Sequence, residues 1–166
     1  MRTELAMAAF IALASVSAEA SPLFSASGAW VGDGRIAPKV DQPMERGRCQ
    51  IEVKPKPGES DVSISGRCAL AGGSRNISMR YVKQPSGNVR AGFWSPSDEI
   101  SVQYGGVETD DTVTLQTLEP IDFEGSMYKS RVTMVFESDT AFTFEQIVQK
   151  EGAERWVRIV DMRFQR

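Results

Sequence analysis

The chain has 166 residues and a formal net charge of −3, and 41% of its residues are hydrophobic. This length suits one domain with a packed core, and the slight excess of acidic side chains argues against nucleic-acid binding, which needs a basic field. The chain contains no histidine, which excludes Ser-His-Asp and Cys-His catalysis as well as histidine-ligated zinc and haem.

The first segment has the pattern of a secretory signal peptide. Arg2 provides a basic start, Leu5 to Val16 form a short apolar run, and Ala18-Glu19-Ala20 matches the pattern of small residues after which signal peptidase cleaves. The run is shorter than the ~20 residues that span a bilayer. The alternative is a buried N-terminal helix of a cytoplasmic protein. We expect residues 1–20 to be a signal peptide, residues 21–166 to form one domain, and the protein to be periplasmic or secreted.

Beyond the predicted cleavage site, turn residues recur about every dozen positions, and the segments between them alternate apolar with polar residues, as in antiparallel β-structure. The predicted strands are Gly28–Ile36, Arg48–Val53, Val62–Leu70, Asn76–Lys83, Asn88–Trp94, Ile100–Tyr104, Thr112–Leu118, Arg131–Glu137, Ala141–Gln149 and Arg155–Phe164. Two longer loops are expected at Ala37–Glu45 and Glu119–Ser130. No segment after the signal shows helical periodicity.

The two cysteines of the chain lie at equal distances from the turn Pro57-Gly58-Glu59-Ser60. A hairpin centred on this turn pairs Cys49 with Cys68 and Val53 with Ile64 on an apolar face, and leaves the opposite face polar. A disulfide is therefore expected in an exported protein, and the alternative is two buried free thiols. A bond that closes a loop of about 20 residues contributes ~3 kcal/mol in the chain-entropy model.

About ten short, meandering strands need to hide their edges, and closure is the simplest way to do so. We expect an all-β fold: an antiparallel up-and-down barrel of about 8–10 strands, with a two-sheet β-sandwich as the alternative. An outer-membrane barrel needs an apolar band on its outward face. Here that face carries Arg48, Glu52 and Arg67, so the protein is not expected to span a membrane.

The first predicted strand begins Gly28-Ala29-Trp30-Val31-Gly32. This run resembles the G-x-W signature of lipocalins and other calycin barrels, and the glycine-rich opening of nitrobindin-like domains. The resemblance implies a lipocalin-like barrel in which Trp30 plugs the closed end and an arginine of the last strand, Arg158 or Arg163, packs over the indole. In nitrobindin-like domains a histidine binds the haem iron. This chain has no histidine, so the haem function does not carry over.

The chain is also similar to uncharacterised small exported proteins of α-proteobacteria that combine a G-x-W-x-G opening with two hairpin cysteines. This likeness covers most of residues 21–166, but it implies no activity.

Methionines and aromatic residues on the predicted inward faces are candidates for lining a ligand cup. These candidate ligand-binding residues are Met79, Tyr81, Phe93, Met134, Phe136, Phe142 and Phe144. Trp94 is the alternative to Phe93, because only one of two neighbouring residues on a regular strand faces inward. The alternative is that they only fill the core, because small barrels are packed solid or hold one small ligand.

Our first functional hypothesis is an exported, non-enzymatic binding protein for a small apolar or amphipathic ligand, without a cofactor. The second is a periplasmic protein-interaction module, such as an inhibitor or an envelope accessory factor, that binds a protein partner.

An enzyme is the third hypothesis. Two carboxylates suffice for glycoside hydrolysis, and acidic pairs occur at Asp98-Glu99, at Asp110-Asp111 and at Asp122 with Glu124. All of them fall in predicted loops, where acids are ordinary turn residues, and none has the spacing of a calcium loop. We therefore expect no catalytic residues and no metal site.

Overall fold

The computed structural model describes residues 21–57, 60–95 and 100–166. The predicted signal peptide lies outside the described residues, as do Gly58 and Glu59 of the predicted hairpin turn. The described chain forms one short helix, α1 (Pro22–Ser25), followed by strands. The strands are β1 (Gly28–Ile36), β2 (Glu45–Pro55), β3 (Asp61–Leu70), β4 (Gly73–Lys83), β5 (Asn88–Ser95), β6 (Ile100–Glu108), β7 (Thr112–Thr117), β8 (Ile121–Phe123), β9 (Ser126–Ser138), β10 (Ala141–Lys150) and β11 (Trp156–Gln165).

Ten of these strands close into an antiparallel barrel. Neighbours follow chain order from β1 to β7, β7 pairs with β9, β9 with β10, β10 with β11, and β11 with β1. The short strand β8 pairs with the first residues of β9, outside the ring. Closure removes the exposed edges that an open sheet would present. The predicted up-and-down barrel is therefore confirmed, and the sandwich alternative is wrong.

The cysteine hairpin has the predicted register. Cys49 pairs with Cys68 and Val53 with Ile64, and the two sulfurs form a disulfide with an S–S distance of 2.03 Å. Both cysteines are buried. The disulfide prediction is confirmed.

Two local features differ from the sequence expectation. The predicted loop Glu119–Ser130 contains β8 and the start of β9, because a tight turn reverses the chain between them. In this turn the Gly125 amide donates to Asp122 Oδ1 at 2.9 Å, and both Glu124 and Gly125 have positive φ. Helix α1 spans 4 residues, which is about one turn and too short to produce an apolar periodicity.

The last strand changes face at a bulge. Val160 pairs with Gln146 but Arg158 pairs with Ile147, so Ile159 is an extra residue on β11. A bulge of this kind moves the following side chains to the other face of the sheet. Val160 therefore faces the interior, whereas Arg158 lies on the outer surface.

The apolar core lies inside the barrel, towards the end that α1 covers. Phe142 stacks on Phe164 with ring centroids 4.7 Å apart, and Trp30 meets Phe142 edge-on at 4.9 Å. Trp30 is 2% exposed. Among the described residues, no helix is long and apolar enough to cross a membrane.

Candidate ligand cavity

Helix α1 covers one end of the barrel, which we call the closed end. Leu23 of α1 is 1% exposed and points into the core. The Trp30 indole N–H donates to the Ala26 carbonyl at 2.7 Å, and so satisfies a backbone acceptor at the end of the helix. The Arg166 guanidinium lies 4.7 Å from the Trp30 ring centroid and donates to the Ser27 carbonyl at 2.7 Å.

The arginine over Trp30 is Arg166, so the expectation of Arg158 or Arg163 is wrong. Arg158 pairs with Glu145 and Arg163 pairs with Glu137, each at 2.5 Å, on the outer surface. Side chains alternate along a strand. Arg163 faces outward because it sits between the inward Met162 and Phe164, and Arg158 faces outward because of the bulge. Arg166 lies two positions after Phe164 and so returns to the inward side.

A buried carboxylate fastens α1 to the barrel wall. The Glu108 side chain is 2% exposed. It accepts hydrogen bonds from Ser21 Oγ at 2.6 Å, from Lys83 Nζ at 2.8 Å and from the Tyr81 hydroxyl. Burial raises the pKa of Tyr81, and the adjacent Glu108 carboxylate raises it further. Tyr81 therefore acts as a neutral donor that links β4 to β6.

Above the closed end, the interior contains a cavity of about 190 Å³. Its walls are almost entirely apolar and come from most strands of the barrel. The lining residues include Leu23, Cys49, Ile51, Ile64, Cys68, Met79, Phe93, Met134, Phe142, Phe144, Val160, Met162 and Phe164. At the opposite end of the barrel, the half-buried Ile36, Leu70 and Ile77 and the exposed Arg75 also line the cavity. We call this end the open end, since an exposed side chain forms part of its rim.

The cavity brings together most of the side chains proposed from sequence. Of the candidate ligand-binding residues, Met79, Phe93, Met134, Phe142 and Phe144 line it. Tyr81 does not, because its hydroxyl is held by Glu108 at the closed end. Phe136 does not line it either. It lies one inward position beyond Met134 towards the closed end, where it lines a second pocket with Trp30 and Pro22 of α1.

Sequence reasoning missed several lining residues, some of which carried a usable signal. Ile51, Ile64 and the two cysteines lie on the apolar face of the predicted hairpin, so the same register argument could have placed them in the cavity. Gln146 and Tyr104 carried no such signal, because a polar side chain at an inward position is an exception to the apolar pattern.

A small polar cluster interrupts the apolar wall. The amide nitrogen of Gln146 donates to Ser130 Oγ at 2.9 Å, and the Tyr104 hydroxyl donates to the same oxygen at 3.3 Å. The Ser130 amide donates to Thr117 Oγ1 at 3.1 Å, and Ser130 is 0% exposed. Burial raises the pKa of the Tyr104 phenol, so this cluster is uncharged at neutral pH. Among the described residues, Arg75 at the rim is the one charged side chain that lines the cavity.

The acidic pairs that the structure describes lie on the surface. Asp110, Asp111, Asp122 and Glu124 are exposed, and Asp98 and Glu99 lie outside the described residues. Within residues 21–57, 60–95 and 100–166, no group of three or more Cys, Asp or Glu side chains is arranged to hold a metal ion.

Comparisons with known proteins give a likeness in shape and none in sequence. No protein-family model matches the chain, and no curated protein matches its sequence. The solved structures that match include a redesigned β-barrel, mFAP1, bound to DFHBI, with 13% identity over 89% of this chain and 100% of that chain and a TM-score of 0.48. EF1p2_mFAP2b bound to DFHBI matches with 10% identity over 86% of this chain and 94% of that chain and a TM-score of 0.47. With TM-scores below 0.5, neither likeness contributes to the functional argument below.

Proposed function

We propose that the protein is an exported, non-enzymatic binding protein that holds a small apolar or amphipathic molecule inside its barrel. The observation that carries this proposal is the apolar cavity of about 190 Å³. A folded core is normally packed at crystal-like density, with few voids larger than a water molecule. An apolar void of about 150 Å³ stays dry and takes up molecules such as benzene. A ligand in this cavity would restore the contacts that its walls lack.

Two features support export. Ala18-Glu19-Ala20 follows an apolar run near the N-terminus, and disulfides persist mainly in oxidising compartments. The buried Cys49–Cys68 bond fits a periplasmic or secreted location. The protein-interaction hypothesis stays a prediction of the sequence.

The test is to block the cavity without changing the outer surface. Ile77 is half-buried at the open rim, and the preceding Asn76 is exposed on the opposite face of β4. We expect Ile77→Trp to fill the entrance and to weaken ethylbenzene binding by at least about tenfold in isothermal titration calorimetry, because the added ring occupies ligand volume. Asn76→Trp is the matched control and should bind like the wild type.

Circular dichroism establishes that both variants are folded. Absence of ethylbenzene binding to the folded wild type would contradict the proposal. Equal binding by the wild type and Ile77→Trp would also contradict it, since the ligand would then lie elsewhere.

A further inference from the structure

One atom of the polar cluster in the cavity wall, the side-chain carbonyl oxygen of Gln146, has no hydrogen-bond donor among the described residues. Gln146 lines the cavity, and its amide nitrogen is engaged by Ser130. Among the described residues, no group donates to its carbonyl oxygen Oε1, and this oxygen is accessible rather than buried. A carbonyl oxygen that loses water without gaining a donor costs free energy, so a ligand that covers Gln146 needs to supply an O–H or N–H.

We infer that the ligand is an uncharged molecule with one hydrogen-bond donor, which it directs at Gln146 Oε1 while its apolar body fills the cavity. This inference rests on the proposed function, which requires only that an apolar body binds. The donor would be a phenolic or alcoholic hydroxyl or an amide N–H.

The volume of the cavity limits the size of the ligand. A void of about 150 Å³ accommodates benzene, with six non-hydrogen atoms. In proportion, a cavity of about 190 Å³ accommodates about eight non-hydrogen atoms. A ligand that extends to the open rim can contain a few more. A single ring with a short substituent, or a short alkyl chain, meets this limit, whereas a long-chain lipid does not.

The charges around the cavity favour a neutral ligand over a carboxylate. The polar groups in the cavity wall form the cluster of Gln146, Ser130 and Tyr104, and burial raises the pKa of Tyr104, which keeps it neutral. Arg75 is exposed at the rim and has interactions within the protein. A carboxylate enclosed in the cavity beside this cluster would lose its hydration without a charged partner.

Three probes of similar size distinguish a neutral ligand with a donor, a purely apolar ligand and a carboxylate. They are 4-ethylphenol, ethylbenzene and 4-methylbenzoate, respectively. We expect wild-type protein to bind 4-ethylphenol most tightly and 4-methylbenzoate least tightly in isothermal titration calorimetry. Gln146→Leu should weaken 4-ethylphenol binding by about tenfold, the effect of one buried hydrogen bond, and should bind ethylbenzene as tightly as the wild type or more so. The order of the two neutral probes is therefore reversed in the variant.

Gln50→Leu is the matched control, because Gln50 is an exposed residue of β2. A second measurement needs no substitution: the side-chain amide resonance of Gln146 in NMR spectra should shift with 4-ethylphenol more than with ethylbenzene.

The outcomes distinguish the inference from the proposed function. Tightest binding of 4-methylbenzoate, or equal loss of both neutral probes in Gln146→Leu, would overturn the inference and leave the binding function intact. Failure of all three probes to bind the wild type would overturn both.

Discussion

At the scale of single residues, the opening motif makes specific contacts in the fold. Gly28 has φ of +119°, a conformation that favours glycine, where the chain leaves α1 and enters β1. A Cβ on Gly32 would lie 2.5 Å from the Phe164 ring, so the glycine leaves room for that ring beside Trp30. The motif is thus explained by packing at the closed end, independently of any ligand.

Asp61 gives a prediction at the same scale. Its side chain is 5% exposed, and its Oδ2 accepts from Arg80 Nε at 2.9 Å and Nη2 at 2.5 Å. Hydrogen bonding from Arg80 lowers the pKa of Asp61. Because this pKa is lower in the folded than in the unfolded state, the ion pair stabilises the fold above the unfolded pKa of about 3.9, and the stabilisation declines as the pH falls through that value.

We therefore expect Asp61→Asn to lower the free energy of unfolding at pH 7, and the difference from wild type to shrink below about pH 4. Urea unfolding at a series of pH values measures both quantities. Asp33→Asn, at an exposed position of β1, is the control. A difference that does not depend on pH would show that the charge of Asp61 is not the stabilising feature.

At the scale of elements, α1 acts as the floor of the cavity. We expect Leu23→Ala to lower the free energy of unfolding by about 2–4 kcal/mol, because a buried leucine is removed beside an existing void that cannot collapse. Thermal and urea unfolding measure this loss, and Ser25→Ala, at an exposed position of the same helix, should change stability little. A loss well below 1 kcal/mol in Leu23→Ala would mean that α1 is not packed against the core as described.

Sequence reasoning is most reliable for elements whose pattern is local. The register of the β2–β3 hairpin follows from the symmetric cysteines and from the alternation of Val53 and Ile64 with polar residues. The short helix α1 and the bulge at Ile159 escape such reasoning because neither produces a repeating pattern. The contact of Arg166 with Trp30 depends on where the last strand ends, and the cluster at Ser130 depends on the tertiary arrangement of four strands, β6, β7, β9 and β10.

For the molecule as a whole, closure of the barrel creates an enclosed interior that can hold a ligand. Ten strands enclose more space than the inward side chains fill, which leaves the cavity of about 190 Å³. The end with α1 is sealed by the Glu108 and Trp30 contacts, so access to the cavity lies at the opposite end. The fold could be predicted from strand count and edge protection, but the size of the void could not, because it depends on side-chain packing around the complete ring.

A titration of methyl-labelled protein with ethylbenzene, followed by methyl NMR spectroscopy, shows directly whether a ligand enters the barrel. We expect saturable shifts of the inward methyl groups of Ile64, Met79 and Met134, which line the cavity. The outward Val107, which is 54% exposed, should not shift. Shifts confined to surface methyl groups, or no saturable shifts at all, would contradict the claim that the barrel encloses an accessible ligand cavity.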